Sequence, residues 1–544
     1  MHERGAMDSK SQTADEPTAV ALRVSTAVAG ALLPMMAVGR RRTLAAMADP
    51  LTSLDATFLE LEQLDEGATM HIGAVMVFDP LPDGTTPTLE AVCRDVASRL
   101  TLLPRYSERL SSERTGRLTW PRWQEDPQFD VRNHVHRAAL PAPGGEAELC
   151  EWAADYFSHR LDRTRPLWEM VLLEGLEQDR WALVTKTHHA LVDGVGSVDV
   201  VHLLLDPQPP ARLAEARPAE DRPGSVWEAR LPHPPDAVAD LARAGARAAA
   251  AGVHAARHPR EALERSRSLA ELIVRDELIG APHTSINVPI GATRRFQVVR
   301  ASLSELKAIR RELGGSVNDV VLAACTAGLR RLLLSRGESP PVEGLRAMVP
   351  MNVRDASEEL TLGNRVSSLF VELPVAEPDP LRRLRKIVEH TCRLKASGAA
   401  LGAATMIDIA ALAPPLVHAP IARSLYATRL FNVTITNVPG PRTPLYAFGA
   451  ALREIHPVVP LAARHAVGIA IFSYNGGVVL GLSADCDSTP DLDVLREGVE
   501  EGFAELRVLL SSREPRPSAR GNGARPKSPL RAAAAPKPAA RARP

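Results

Sequence analysis

The stretch Trp181–Gly194, WALVTKTHHALVDG, constrains this chain more than any other. Apolar residues run from Trp181 to Val184, Lys186 and Thr187 carry the run into His188 and His189, and Asp193-Gly194 closes it. An apolar run of this length ended by a turn signal reads as a buried strand that delivers a histidine pair to a loop at a cleft. Val195–Leu205 then returns to helix-like spacing.

The spacing His-His-x-x-x-Asp-Gly has a chemical logic. A histidine's unperturbed pKa of about 6.5 leaves a neutral ring able to take a proton from a hydroxyl or thiol at neutral pH. Consecutive strand residues point to opposite faces, so one of His188 and His189 faces the cleft and the other braces the loop. Gly194 lacks a Cβ where a bulky substrate would approach. Asp193 either orients the base directly or pairs with an arginine and holds the loop shut. A single buried histidine is ordinarily a satisfied core residue, but that explains poorly a doublet followed by Asp-Gly at a strand end. A metal site is the sharper competitor; adjacent strand histidines diverge and no third ligand has suitable spacing, so no metal is expected.

HHALVDG matches the HHxxxDG signature of the coenzyme A-dependent acyltransferase superfamily, which includes chloramphenicol acetyltransferase and peptide-synthetase condensation domains. Further stretches narrow it: LTSLDATFLEL at Leu51–Leu61, Met70–Gly73, Pro166-Leu167-Trp168, SVND at Ser316–Asp319, VPMNVR at Val349–Arg354, Leu362–Asn364 and TNVPGP at Thr436–Pro441. With these, residues 50–510 resemble, in order, the bacterial wax ester synthase/acyl-CoA:diacylglycerol acyltransferase family.

The resemblance implies an α/β layered fold of two chloramphenicol acetyltransferase-like subdomains, with His189 at their interface. It casts His189 as general base, His188 as structural support, Asp193 as organiser of the loop and Gly194 as keeper of substrate access. Asn318 in SVND is the candidate oxyanion donor and Asn437 the second choice; Arg295 is a possible partner for Asp193. His134, in a segment the resemblance also covers, reads as structural. Acyl-CoA would be a co-substrate rather than a bound cofactor, and diacylglycerol or a long-chain alcohol the acceptor. The absence of a GxSxG elbow agrees with direct transfer without an acyl-enzyme. Two other classes stay open: a superfamily transferase fed by a carrier-protein thioester, and a non-catalytic lipid-surface protein. The intact His188, His189, Asp193 and Gly194 weigh against the latter.

At 544 residues the chain exceeds what one hydrophobic core usually supports, so two are expected. A formal net charge of zero argues against nucleic acid as the main partner. The cysteines Cys93, Cys150, Cys325, Cys392 and Cys486 are scattered, form no CxxC pair and read as small core fillers in a reducing cytoplasm. The expected location is cytoplasmic, peripheral to the inner membrane or to lipid inclusions.

Along the chain, residues 1–46 read as a disordered leader or weak membrane anchor, since Val24–Val38 is too short to span a bilayer. Residues 47–206 form the first expected subdomain and 291–511 the second. Between them, 207–290 reads as a partly helical linker, with helix-period patterns over Ala237–Arg257 and Arg260–Val274. The tail, 512–544, is basic, Pro/Ala/Arg-rich and expected to be disordered. Strands are expected over Ile72–Phe78, Leu167–Leu173, Val366–Leu373 and Phe431–Thr436, and helices over Thr88–Leu103 and Glu146–Leu161. Ser302 and Glu305 have capping-box spacing before a helix ending at Gly314-Gly315, and a second helix starts at Ser316. Asn475-Gly476-Gly477 marks a hairpin.

Overall fold

Two six-stranded sheets organise the molecule, and one of them draws strands from both ends of the sequence. In this computed structural model the described residues are 51, 53–100, 103–111, 121–191, 204–209, 280–352, 366–396 and 430–511. The first half runs α1 (Ser53–Leu64), β1 (His71–Phe78), α2 (Leu89–Leu100), β2 (Glu108–Leu110), β3 (Trp123–Glu125), β4 (Val135–Ala139), α3 (Glu146–Ser158), β5 (Trp168–Leu176) and β6 (Arg180–His188). The second half begins with β7 (Arg294–Ser302), α4 (Leu303–Leu313), α5 (Val317–Ser335), β8 (Leu345–Asn352), β9 (Val366–Leu373) and α6 (Pro380–Ala396). It continues through β10 (Val433–Pro439), β11 (Tyr446–Ala447), β12 (Ala450–Val458), β13 (Val467–Tyr474), β14 (Gly477–Asp485) and α7 (Leu492–Ser511). The architecture is mixed α/β, as expected from the sequence.

The first sheet has the order β11-β12-β1-β6-β5-β4 and the second β7-β14-β13-β10-β8-β9. Strand β1 and the Trp181–Val184 half of β6 read as apolar runs because both faces of their sheet are covered there. Met76, Phe78, Trp181 and Leu183 pack with Val92, Cys93 and Val96 of α2 on one face. Val75, Val77, Ala182 and Val184 pack with Ala153 and Phe157 of α3 on the other. That second cluster also takes in Phe296, Val298 and Val479, so it joins the two sheets. Gly73 is packed on two sides: a Cβ there would run into Thr185 O of β6 and the Phe157 ring of α3.

β12 belongs to the second half of the chain but pairs antiparallel with β1 of the first, from Gly73↔Val458 to Phe78↔Leu452. No local pattern announces this crossing. The second core gathers around the other sheet, with α5 buried on almost every side among Leu306, Leu384, Leu495 and Val499.

Local signals decide most element ends. Thr88 Oγ1 accepts from Ala91 N at 3.2 Å and caps α2. That helix stops at Leu100, short of the expected Leu103, because Pro104 disfavours helix in the residue before it and opens a 3₁₀ turn. α3 stops at Ser158, short of Leu161, where His159 turns extended. The Ser302–Glu305 capping box does not form; Ser302 Oγ bonds Ser304 Oγ at 2.7 Å instead. A capping box does form one helix later, between Ser316 and Asp319. Asn475 and Gly476 adopt φ of 45° and 85° and make the expected hairpin between β13 and β14.

Cys93, Cys150 and Cys325 are buried, but Cys392 is exposed on α6 and does not fill a core. Among the described residues no helix is long and apolar enough to cross a membrane. The expected leader, tail and linker helices, and residues 192–203 after the signature strand, lie outside the described residues.

Candidate active site

The site grows from the end of β6. His188 is the last strand residue and stands opposite His71 in the β1–β6 register. Its N–H donates to Leu167 O at 3.0 Å, and the His189 N–H donates to Met70 O at 2.8 Å. Two of the motif stretches, Met70–Gly73 and Pro166-Leu167-Trp168, therefore hold the backbone of the histidine pair. Trp168 is fixed in turn by Nε1 donating to Tyr106 O at 2.7 Å and by stacking on His134, centroids 4.7 Å apart. His134 is buried and bonds Trp168 O through Nδ1 at 2.9 Å.

The histidines have different surroundings. His188 is fully buried. Its Nε2 lies 3.1 Å from Glu62 Oε2, and its Nδ1 accepts from Ala190 N–H at 3.0 Å. Glu62 is 2% exposed and also receives Arg163 Nη2 at 2.8 Å. Burial pushes the Glu62 carboxyl up, but the hydrogen bond from His188 and the Arg163 guanidinium beside it outweigh that and hold its pKa below the ordinary carboxylate range, at about 2. Burial keeps both His188 and His71 below the ordinary histidine range, so their rings are neutral.

His189 is half-buried, and its ring stacks on Phe58 with centroids 4.1 Å apart. Desolvation lowers its pKa to about 4, which leaves a neutral, proton-accepting imidazole at neutral pH. Phe58 and Glu62 are one helical turn apart on α1, so a single helix face touches both histidines. Phe58 lies inside the motif stretch LTSLDATFLEL and Glu62 directly follows it, though neither carries a role in the motif itself. The signal that could have found them is their i, i+4 spacing across the end of that stretch. Asp193 and Gly194 lie outside the described residues.

From the second half, Asn318 sits in the first turn of α5, and its Oδ1 accepts from Asn437 Nδ2 at 3.0 Å. The two oxyanion candidates are thus brought together, and Asn318 Nδ2 makes no hydrogen bond among the described residues. Val438, beside Asn437, packs against the same apolar cluster as Ala190 and Leu191. Arg295 is half-buried and forms no ion pair among the described residues. Lys186, unassigned from sequence, is buried with Nζ 3.1 Å from Tyr156 O and 3.4 Å from Glu169. Among the described residues no group of three or more His, Cys, Asp or Glu could hold a metal ion.

The chain matches the wax ester synthase/diacylglycerol acyltransferase catalytic domain over residues 51–321 and the WS/DGAT C-terminal domain over residues 362–507. It is 34% identical over 474 residues to the probable diacylglycerol O-acyltransferase tgs1 of Mycobacterium tuberculosis, spanning 85% of this chain and 96% of that protein. The solved wax ester synthase/diacylglycerol acyltransferase from Marinobacter aquaeolei VT8 superposes with TM-score 0.60 at 27% identity, covering 85% of this chain and 100% of that one. At 14% identity, the starter condensation domain of rhizomide synthetase RzmA, solved with C8-CoA and Leu-SNAC, shares the fold with TM-score 0.54, covering 86% of this chain and 96% of that one. The architecture is thus the condensation-domain-like pair of subdomains, and the chain belongs to the wax ester synthase/diacylglycerol acyltransferase family.

Proposed function

We propose that this protein moves a fatty acyl group from acyl-CoA to the hydroxyl of diacylglycerol, a long-chain alcohol or both, with His189 as the general base. The observation that carries the reading is the contrast at the end of β6. One histidine is enclosed and hydrogen-bonded at both ring nitrogens. Its neighbour is half-buried, neutral and stacked on a phenylalanine.

A thioester is already activated, so the protein's task is to generate a nucleophile and stabilise an oxyanion. His189 takes the proton of the acceptor hydroxyl as its oxygen attacks the thioester carbonyl, forming a C–O bond and a tetrahedral oxyanion. The C–S bond then breaks, and the imidazolium returns the proton to the departing thiolate of coenzyme A. The charge is balanced throughout, and no acyl-enzyme is required. General-base help of this kind is worth roughly 10²–10⁴-fold. Asn318 Nδ2 is the proposed oxyanion donor; one such donor is typically worth ~10²–10³-fold. Asp193 and Gly194 keep the roles the family resemblance gives them, ordering the loop and leaving room for substrate. Acceptors this apolar reside in membranes or lipid inclusions, so the proposed working place is at such a surface on the cytoplasmic side.

The test is incubation of the purified protein with labelled palmitoyl-CoA and, in separate reactions, diacylglycerol, hexadecanol or an acyl-carrier-protein thioester as alternative donor. Labelled triacylglycerol or wax ester is the expected product. Transfer only from the carrier protein would move the reading to the condensation-like alternative, and no transfer from any donor would overturn it.

A further inference from the structure

Glu62 has no role in the mechanism above, yet the back of the site converges on it. Its carboxylate is enclosed between two histidine rings: Oε2 is 3.1 Å from His188 Nε2, and Oε1 is 3.3 Å from His71 Nε2. Arg163 reaches Oε2 from the more open side, at 2.8 Å, and also donates to Leu59 O at 2.8 Å one turn back on α1. We propose that Glu62 is a positioning residue for acyl transfer: it fixes His188 in the Nε2–H form, and His188 in turn holds the turn that presents His189.

The chain of contacts is explicit. An ionised carboxylate can only accept hydrogen bonds, so the hydrogen between Glu62 and His188 sits on His188 Nε2. Because His188 is neutral, its Nδ1 then carries a bare lone pair, and that lone pair takes the Ala190 N–H. Ala190 follows His189 directly, and the His189 N–H is tied to Met70 O. Both peptide units flanking the base are therefore anchored, one of them through Glu62. The opposite tautomer would aim Nδ1–H at the Ala190 N–H and a lone pair at a carboxylate, losing both bonds. The His71 ring, whose Nε2 accepts from Leu161 N–H at 3.4 Å, closes the other side of the carboxylate.

The inference rests on the reading of His189 as the base. It is tested on the full-length protein with Glu62→Gln, Glu62→Asp and His189→Ala. Glu62→Gln should keep the melting temperature near wild type and the KM values for acyl-CoA and diacylglycerol within about twofold. Its kcat should fall roughly 10- to 100-fold, the scale of a misplaced catalytic group. Glu62→Asp, which restores the charge, should recover part of that loss. Nitrogen-15 spectra of histidine-labelled protein should show one buried ring as the Nε2–H form in wild type, and that signature disturbed in Glu62→Gln. A Glu62→Gln protein with wild-type kcat, or one whose loss comes with an unchanged His188 signature, overturns the proposal. Should His189→Ala retain full turnover, the base assignment fails instead; with His189→Ala inactive and Glu62→Gln normal, this inference alone fails.

Discussion

His188 and His189 are the same residue in different surroundings, and their substitutions should separate accordingly. His189→Ala removes the stacked ring proposed as the general base, so turnover should fall by ~10² or more while thermal melting changes little. His188→Ala leaves the Ala190 N–H and one side of Glu62 without their partner, and should cost about 1–3 kcal/mol of stability as well as activity. Melting curves beside turnover check both; a His188→Ala protein that is inactive yet melts normally would mean the two roles are exchanged. The lowered pKa of His189 also sets a pH signature. The acid limb of kcat/KM should fall near pH 4, where the free-enzyme base becomes protonated, rather than near the ordinary value of about 6.5. A limb at the ordinary value would show the ring to be solvated. The histidine pair was legible because its spacing is local. Glu62, His71 and Arg163 were not, because strand pairing and the docking of α1 bring them to the pair across long stretches of sequence.

Elements were most legible where a side chain acts within its own turn. Thr88, Ser316 and Asn475-Gly476 did what their chemistry dictates, whereas Ser302 found a nearer partner in Ser304 and left its box open. Gly73 carries the clearest element-level prediction. Its missing Cβ leaves room for the Thr185 carbonyl of β6 as well as the Phe157 ring of α3, so Gly73→Ala should displace both the strand backbone and that ring. Overpacking of this kind costs ~1–3 kcal/mol, to be read from urea unfolding, and shortening Phe157 to Leu should relieve only the ring's share of it, because the Thr185 carbonyl stays in place. A Gly73→Ala protein as stable as wild type would mean that neither β6 nor α3 approaches Gly73 this closely.

On the scale of the whole molecule, buried neutral histidines make stability depend on acid. His71, His134, His188, His189 and His465 all have pKa values lowered chiefly by burial. Each is unprotonated in the fold but takes up a proton on unfolding once pH drops below about 6.5, so the unfolded state binds more protons and stability falls with pH. Their contribution is intact above that value and is lost progressively down through the lowered folded values. Glu62, held at about 2, adds a further loss below its ordinary range. Denaturant unfolding at pH 7 and pH 5 should show a clear loss at the lower value; equal stability at both would contradict the burial of these rings. Two layers of mixed α/β structure followed from composition and pattern, but the path of β12 did not, because strand partners are chosen by tertiary packing rather than by neighbours in sequence. That path matters most while the protein is being made. Synthesis delivers β1 and β6 early, and the strand that covers the other edge of β1 leaves the ribosome roughly 270 residues after His188, some 15–50 s later at ~5–20 residues per second. For that interval the edge of HIGAVMVF, apolar and unpaired, is open to any other nascent chain. Slowing translation ahead of β12 should therefore raise the aggregated fraction without changing the stability of the finished protein; an unchanged soluble yield would show that this edge is protected during synthesis.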